Sequence, residues 1–426
     1  MKVTTVLLPA LLAMGGVIIN CGSSDGTKPI TGGAGAANTG AGTGGAPVGS
    51  GGSGGSTTGG SSGDGTGGAK CVPGSLKDPD TGMCVCRPAT NKLCSDGCYD
   101  TANDPDHCGD CTAKCEATQV CGASKCSATP KAVVPAAAGC GTLRLAISGS
   151  TLYWTDETHG TVQSVATAGG AATSVATAQM KPGLIAVNGT TAYWVNSGDK
   201  TIMKAGSATP LVTGKTGIGG ITLSTDGKTL YFADGVTINS ISTTATDGKS
   251  TLIGKEDSGI PHALAVENDN IAYPTELNGD VDVMKITAQG DSVCASEDST
   301  TATNKGCTRL SRSQTPYFDA MYLIGGKAYW TNQTAVEVQD ITATSADAVA
   351  TAGGQALKIT AFSISNSAAF FAADDGYIYT SPLTTGSMAL AVARTASPGA
   401  TSVVADATNV YFATPDCAIN SQPIPK

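Results

Sequence analysis

From Ser148 to the C-terminus, short apolar runs alternate with polar turns in a pattern that recurs about every 40 residues. Each copy has an apolar run, a turn pair and a second run with two aromatic or apolar anchor residues at its centre. The turn pairs are Gly149-Ser150, Asn188-Gly189, Asp226-Gly227, Asn268-Asp269, Gly325-Gly326, Asn366-Ser367 and Asp406-Ala407. Most contain Gly, Asn or Asp, which tolerate the positive φ of two-residue hairpin turns. The pattern therefore predicts a series of β-hairpins.

The anchors set the period of the repeat. They are Tyr153-Trp154, Tyr193-Trp194, Tyr231-Phe232, Tyr273-Pro274, Tyr329-Trp330, Phe370-Phe371 and Tyr411-Phe412. Subtracting the first position of each pair from the next gives spacings of 40, 38, 42, 56, 41 and 41 residues. A third apolar run follows each anchor, and a period of this length with short strands is typical of a β-propeller blade. Because a blade cannot bury both faces alone, seven anchors predict an all-β, seven-bladed propeller over 131–426.

The first anchor resembles a known motif. Leu-Tyr-Trp-Thr-Asp at 152–156 is similar to the YWTD motif of low-density-lipoprotein-receptor-type propellers, and the repeats also resemble NHL-type propellers. The copies at 193–196 and 329–332 are near matches, whereas Pro274 in the fourth copy cannot donate to a central ladder. Propellers of the YWTD family have six blades, so seven anchors are a departure. The resemblance implies a fold and not a receptor function.

Residues 1–20 have the pattern of an export signal, with Lys2 followed by an apolar run from Val3 to Ile19. This segment resembles a bacterial lipoprotein signal in which 18–20 form the lipobox before Cys21, although Asn20 departs from the usual small residue. The resemblance implies a diacylglycerol on Cys21 and a membrane anchor. The alternative is an ordinary cleaved signal. Residues 21–70 are rich in Gly, Ser, Thr and Ala, which predicts a disordered, flexible tether.

Residues 71–126 contain ten cysteines. The segment from Tyr99 to Cys111 resembles the Cys-rich repeat of stigma-specific, Stig1-like proteins, a module also found in myxobacterial surface lipoproteins. Export predicts up to five disulfides of unknown connectivity, because disulfides persist in oxidising compartments. The alternative is a zinc site, since Cys108 and Cys111 have ligand spacing. Under the disulfide prediction, His107 is a polar loop residue.

Four further cysteines lie within the repeats. Cys140 opens the first blade and Cys417 follows the last anchor, so in a closed ring these two are neighbours and we expect a Cys140–Cys417 disulfide. Residues 131–137 can supply the outer strand of the last blade. Cys294 and Cys307 fall in the one long repeat, and we expect them to staple an extra loop from Gln289 to Thr308.

Composition and motifs argue against several functions. The net charge is −9 and the pI is about 4.8, which argues against a nucleic-acid ligand, because such ligands require basic patches. The three histidines, His107, His159 and His262, are scattered, and no nucleophile elbow, P-loop or zinc-protease motif occurs. We therefore expect no enzymatic activity and no cofactor.

Two other groups of residues allow a functional and a structural interpretation. The carboxylates Glu267, Asp269, Glu276, Asp280, Asp282 and Asp374-Asp375 could hold calcium, but hairpin-turn chemistry is the favoured alternative. Trp154, Trp194 and Trp330 could form a glycan platform, but their shared repeat position favours packing between blades.

The best candidate for binding is the stapled insertion and its flank, with Arg309, Arg312, Tyr317 and Phe318, because long loops of repeat proteins often bind partners. We therefore expect a lipid-anchored binding protein of the cell envelope, at the outer membrane or cell surface, with a protein or glycan as its ligand. The alternatives are a structural envelope component and a calcium-dependent propeller hydrolase or lyase.

Overall fold

The computed structural model describes residues 71–425 with some gaps. The gaps are 74, 78, 80–82, 87–90, 123, 258, 276–278, 289, 291, 295–305, 313–319, 333, 344–346, 352–357 and 396–398. The proposed signal, Cys21 and the predicted tether lie outside the described residues. Within the described part of the chain, no helix has the length and apolar character needed to cross a membrane.

The N-terminal part of this region is a small module held by disulfides. Its strands are β1 (Ser75–Lys77), β2 (Cys84–Cys86), β3 (Lys92–Leu93), β4 (Cys98–Tyr99), β5 (Cys121–Gly122) and β6 (Lys125–Cys126), which pair as three antiparallel hairpins. All ten of its cysteines are paired: Cys71–Cys84, Cys86–Cys98, Cys94–Cys111, Cys108–Cys121 and Cys115–Cys126. The prediction of a disulfide-rich module is therefore confirmed, and Cys108 and Cys111 belong to different bridges.

Seven antiparallel sheets follow as the blades of a propeller, which confirms the predicted fold. Strand β7 (Lys131–Val134) precedes blade 1. Blade 1 contains β8 (Leu143–Ser148), β9 (Thr151–Asp156), β10 (Thr161–Ala166) and β11 (Thr173–Ala176). Blade 2 contains β12 (Pro182–Asn188), β13 (Thr191–Asn196) and β14 (Thr201–Lys204). Blade 3 contains β15 (Ile218–Leu223), β16 (Thr229–Asp234), β17 (Thr237–Ser242) and β18 (Thr251–Glu256). Blade 4 contains β19 (Ala265–Glu267), β20 (Asn270–Pro274), β21 (Asp280–Lys285) and, after the 3₁₀-helix Ile286–Ala288 and strand β22 (Ser292–Cys294), β23 (Cys307–Arg312).

The last three blades complete the ring. Blade 5 contains β24 (Tyr322–Ile324), β25 (Lys327–Thr331), β26 (Ala335–Asp340) and β27 (Asp347–Thr351). Blade 6 contains β28 (Ile359–Ser365), β29 (Ala368–Ala373), β30 (Tyr377–Pro382) and, after the short β31 (Ser387–Met388), β32 (Leu390–Arg394). Blade 7 contains β33 (Ser402–Ala405), β34 (Asn409–Ala413) and β35 (Ile419–Pro423), and its fourth strand is β7.

The N-terminal strand of the propeller closes the ring. Strand β7 pairs with β35 through Val134 and Ile419 and through Lys131 and Ser421, so the predicted outer strand of the last blade is observed. Cys140 and Cys417 form a disulfide with their Cα atoms 6.1 Å apart, close to this junction. Both ends of the propeller are thereby fixed to each other.

The up-and-down course of the strands defines two faces of the ring. The connection face carries the links between blades and the loops between second and third strands. The hairpin face carries the turns between first and second strands and between third and fourth strands. The long insertion between β21 and β23 therefore emerges on the hairpin face.

The aromatic anchors form the core between blades. Trp154, Trp194 and Trp330 are 4%, 1% and 1% exposed. Trp154 packs with Tyr411 of blade 7, Trp194 with Tyr153 of blade 1, and Trp330 with side chains of blade 4. The three tryptophans therefore pack between blades. This is the alternative that their shared repeat position favours over a glycan platform.

Some blades depart from four strands. Blade 2 has three, and its fourth is reduced to a bridge between Ile202 and Val212. Blades 3 and 5 each gain a fifth, parallel strand, β22 on β18 and β31 on β27. In each case the added strand comes from the next blade, and it ties neighbouring blades together at the rim.

Candidate functional site

A channel runs along the axis of the ring and is lined by the first strand of every blade or by the residues just before it. It encloses about 220 Å³. Its wall includes one apolar residue from each blade in turn, although most of the surface exposed to the channel is polar: Leu145, Leu184, Ile221, Leu264, Met321, Phe362 and Val403. Repeat geometry explains this arrangement, because equivalent positions of successive blades face the same axis.

The polar groups of the channel are at the connection-face ends of their strands. Arg144 is the second residue of β8, His262 precedes β19, and Ser402 begins β33. The hydroxyl of Ser402 accepts a hydrogen bond of 3.0 Å from the backbone N–H of Leu145. Arg144 also lines a second cavity of about 230 Å³, together with Glu157 and other residues of blades 1, 2 and 3. The two cavities therefore share Arg144 and Leu184 in their walls, near the connection face.

Three exposed apolar side chains lie on the connection face. Met180 is 56% exposed in the link between blades 1 and 2, Val236 is 45% exposed in blade 3, and Ile260 is 36% exposed in the link between blades 3 and 4. All three lie in connection-face loops of neighbouring blades. Exposed apolar side chains that share one face of a protein are a feature of binding surfaces.

Two histidines have structural partners away from the channel. His107 stacks on Tyr99 with ring centroids 3.5 Å apart, and its Nδ1 is 2.9 Å from a carboxylate oxygen of Asp104. The Nδ1 atom of His159 is 2.7 Å from Asp156. His262 alone among the three lies in the wall of the channel. The histidines are therefore dispersed, as the sequence indicates.

A second group of polar residues lies between blades 3 and 4, and we call it the buried cluster: Glu256, Tyr273, Asp280, Asp282 and Arg309. The four residues other than Arg309 have no exposed surface, and the Arg309 side chain is 12% exposed. Arg309 Nε lies 3.1 Å from Oδ1 of Asp282, and its Nη1 lies 3.2 Å from Oδ2 of Asp280. One guanidinium thus contacts two carboxylates.

Tyr273 connects the buried cluster to a disulfide. Its hydroxyl donates a hydrogen bond of 3.0 Å to Glu256 and lies 2.9 Å from Sγ of Cys294. Cys294 is fully buried and is bonded to Cys307, with Cα atoms 5.4 Å apart. This disulfide joins β22 on the edge of blade 3 to β23 of blade 4.

Burial dominates the electrostatics of the cluster. It raises the pKa of Asp282 to about 7, with a further rise from the nearby charge of Glu256, while the ion pair with Arg309 opposes both effects. Burial and the same Glu256 carboxylate also raise the pKa of Tyr273 well above its usual value. The Tyr273 hydroxyl is therefore a hydrogen-bond donor throughout the physiological pH range.

The candidate binding residues of the insertion are only partly described. Arg309 points into the buried cluster, so its guanidinium contacts carboxylates of its own chain. Arg312 ends β23, where its backbone pairs with Asp280, and its side chain lies outside the described part. Tyr317, Phe318 and most of the stapled loop also lie outside the described residues.

The carboxylates considered for calcium have different roles. Glu267 accepts hydrogen bonds of 2.7 Å from the N–H groups of Gly325 and Gly326 in the neighbouring blade. Asp269 accepts from Thr287, and Asp375 accepts from Tyr379. The contact of Glu267 joins neighbouring blades, whereas those of Asp269 and Asp375 lie within one blade. Glu276 lies outside the described residues.

Sequence reasoning missed Glu256, the third carboxylate of the buried cluster. It ends a regular strand, β18, and lies 24 residues before Asp280 along the chain, since 280 minus 256 is 24. No local pattern links the two positions. The aromatic anchor Tyr273 was identified, but its contact with Glu256 depends on how the blades stack.

The propeller is similar to solved structures that differ widely in their described roles. A computationally designed protein, Ika8, aligns with a TM-score of 0.50 and 15% identity, over 69% of this chain and all of the other. Virginiamycin B lyase from Staphylococcus aureus, solved as a catalytically inactive variant with quinupristin, aligns with a TM-score of 0.52 and 11% identity over 68% and 98%. Hydrazine synthase of Kuenenia stuttgartiensis aligns with a TM-score of 0.52 and 13% identity over 66% and 94%.

No protein-family model matches the chain, and no curated protein matches it. At identities of 11–15% the structural similarities establish the fold and carry no information about chemistry. The chain is therefore assigned to the β-propeller fold, with a disulfide-rich module before it.

Proposed function

We propose that this chain is a binding protein of the cell envelope, anchored by a lipid on Cys21, that engages its ligand on the connection face of the propeller. The single observation that carries the proposal is the channel wall, to which all seven blades contribute and which adjoins a second cavity at Arg144. Ligand sites are concave and combine apolar side chains with placed polar groups, and this channel offers both.

The surroundings of the channel favour a protein ligand. Met180, Val236 and Ile260 present apolar surface on adjacent blades, and apolar surface of this kind is characteristic of protein contacts. The channel itself is small, so a protein ligand would place one side chain or a chain terminus in it while its surface covers the three residues. A glycan would instead use the polar groups at the mouth.

Site-specific photo-crosslinking in cells tests the face. The cross-linking residue p-benzoyl-phenylalanine is introduced at Met180 on the connection face or at Met388, which is 85% exposed on the hairpin face. Both positions are exposed methionines, so they form a matched pair. We expect a discrete adduct from position 180 and none from position 388. Adducts of equal yield from both positions, or from neither, overturn the proposed binding face.

The anchor is tested separately. Metabolic labelling with a fatty acid that carries an alkyne should label the wild-type chain, and Cys21→Ser should abolish the label. Cys21 lies two residues after the apolar run that ends at Ile19. A diacylglycerol on Cys21 would supply two acyl chains, which is enough for stable anchoring. If the wild-type chain is not labelled, or if its mature N-terminus lies downstream of Cys21, the lipid anchor is refuted. Neither result bears on the proposed binding face.

A further inference from the structure

We propose that Cys294, Cys307 and Asp282 form a binding site for a thiophilic divalent cation such as zinc when the Cys294–Cys307 disulfide is reduced. The disulfide and the bound metal are then mutually exclusive, and each links the insertion to the boundary between blades 3 and 4. This site is distinct from the channel and does not depend on the proposed binding function.

The ligand atoms are already together. The two Sγ atoms and a carboxylate oxygen of Asp282 all lie within 4.8 Å of one another. Zinc binds sulfur at about 2.3 Å and carboxylate oxygen at about 2.0–2.2 Å, so two ligands of one ion are at most roughly 4.6 Å apart. Reduction lets the sulfur atoms separate, and only small side-chain movements are needed to place all three atoms around one ion.

The three residues come from three strands that the fold holds in place. Asp282 lies on β21, Cys294 on β22 and Cys307 on β23, and both β22 and β23 are paired in sheets without counting the disulfide. Arg309 holds the Asp282 carboxylate through Nε at 3.1 Å and Nη2 at 3.3 Å. The strands therefore keep the ligands near each other after the S–S bond is broken.

The charges around the site favour a dication over free thiolates. Glu256, Asp280 and Asp282 are buried with Arg309 as the cation that contacts two of them. Thiolates at Cys294 and Cys307 would add up to two negative charges to this buried group. Because burial of uncompensated charge costs several kcal/mol per ion, the reduced pair must either keep its protons or bind a cation.

The chemistry balances with a dithiol as the reductant. The dithiol transfers two electrons and two protons, the Cys294–Cys307 bond breaks, and two thiols and a cyclic disulfide form. Binding of Zn²⁺ then releases two protons from the thiols to solvent, and the Asp282 carboxylate supplies the third ligand. Three protein ligands leave a fourth position for water or another oxygen.

The other propeller disulfide offers a natural control. Among the described residues, Cys140 and Cys417 have no third Cys, His or carboxylate group within the same distance of both sulfur atoms. In the N-terminal module, Cys108, Cys115 and Cys126 come equally close, but they provide sulfur alone. A readout that is resolved by residue is therefore needed.

The test uses the full chain, reduced with a dithiol under native conditions and then freed of reductant. Labelling with N-ethylmaleimide is followed by peptide mass spectrometry, with and without Zn²⁺. We expect Zn²⁺ to slow the labelling of the half-buried Cys307 by roughly tenfold or more, because a coordinated thiolate is withdrawn from reaction. Labelling of Cys140 and Cys417 should be unaffected by the metal.

The variant Asp282→Asn distinguishes a metal site with three ligands from binding of the metal by the two thiols alone. It keeps the shape of the side chain but removes the charged ligand, and we expect it to abolish most of the protection at Cys307. Circular dichroism and the unchanged labelling of Cys140 report whether the variant is folded. Equal protection in Asp282→Asn, equal protection at Cys140, or none at Cys307 in the wild-type chain overturns the proposal.

Discussion

The backbone N–H of Leu145 donates a hydrogen bond of 3.0 Å to the side-chain oxygen of Ser402, across the junction between blades 1 and 7. The two residues are 257 positions apart in sequence. Strand β7 and the Cys140–Cys417 disulfide close the same junction. Three contacts of very different kinds thus hold the ends of the ring together, and the covalent one can be removed without changing the strands.

Replacement of both cysteines in Cys140→Ser/Cys417→Ser should destabilise the propeller strongly. The bridge spans 277 residues, and the chain-entropy model gives about 5.6 kcal/mol for a loop of that length. Thermal unfolding followed by circular dichroism measures the loss as a lower Tm.

The matched control is Cys294→Ser/Cys307→Ser, whose bridge spans 13 residues and is worth about 3 kcal/mol in the same model. The ring-closing pair should therefore lower Tm more than the staple. The reverse order would mean that hydrogen bonds and β7 close the ring and that the bridge contributes little.

Replacement of Trp194 by Phe tests the packing between blades. The indole Nε1 donates a hydrogen bond of 3.0 Å to the Oε1 atom of Gln179, and the ring is 1% exposed. Trp194→Phe removes this bond and part of the ring, which should cost about 1 kcal/mol for the bond, plus a cavity contribution. The free energy of unfolding from urea titration measures the loss.

Trp330→Phe is the matched control, because the Trp330 ring is equally buried but donates to no side chain or backbone group in the described structure. It should cost less than Trp194→Phe by about the value of one hydrogen bond. Equal losses in the two variants would assign the whole effect to ring size.

The number of blades and the closure of the ring could be predicted from the sequence because both depend on repeated local signals. Turn pairs such as Asn188-Gly189 and anchors such as Tyr193-Trp194 recur with a regular spacing. The first and last blades of any closed ring are neighbours, which brings Cys140 next to Cys417. Even the weak fourth anchor fits, since Pro274 ends β20 and its carbonyl accepts a hydrogen bond from His262.

The contacts at the rim could not be predicted in the same way. The parallel pairs of β22 with β18 and of β31 with β27 join segments from different blades, and short strands of this kind have no local signature. The buried cluster has the same origin, because Glu256 and Asp282 meet only when blades 3 and 4 stack. The sequence shows Arg309 as a charged residue beside a long loop, but its position on β23 turns it toward two carboxylates.

Gly220 allows the close approach of two first strands beside the channel. A Cβ atom at this position would lie 2.7 Å from the carbonyl oxygen of His262 and 3.1 Å from Cγ of Leu264. Gly220→Ala should therefore push blades 3 and 4 apart and cost about 1–3 kcal/mol, the usual effect of overpacking. Thermal unfolding measures the change.

Gly183 on the first strand of blade 2 is the control, because a Cβ atom there would meet no atom within 4 Å. Gly183→Ala should be neutral or slightly stabilising, since it restricts the unfolded chain. If both variants lower Tm equally, the loss of stability comes from the backbone conformation at the glycines and not from a clash with His262.

Asp156 and Asn196 occupy the same position in blades 1 and 2, and a carboxyl group at the first position should stabilise the protein as the pH rises, whereas one at the second should destabilise it. Burial alone would raise the pKa of Asp156, but hydrogen bonds from the backbone and ring of His159 and from the N–H of Gly141 outweigh it and hold the pKa below its usual value. A lowered folded-state pKa stabilises the protein above the unfolded pKa of about 3.9, and the contribution is lost as the pH falls through the folded value. Asp156→Asn should therefore lower Tm at pH 7, and the difference from wild type should shrink below about pH 4.

The reciprocal variant Asn196→Asp puts a carboxyl group at a site that is 3% exposed, where the Asn196 amide donates a hydrogen bond of 3.1 Å to Gln179. Burial without this donor should raise the pKa of the new carboxyl group, so its penalty should grow as the pH rises through that pKa. Tm measured between pH 3 and pH 8 should thus converge with wild type in acid for both variants. A constant Tm difference for Asp156→Asn across this range would contradict the prediction. It would show that the hydrogen bonds of Asp156 stabilise the fold equally whether its carboxyl group is charged or neutral.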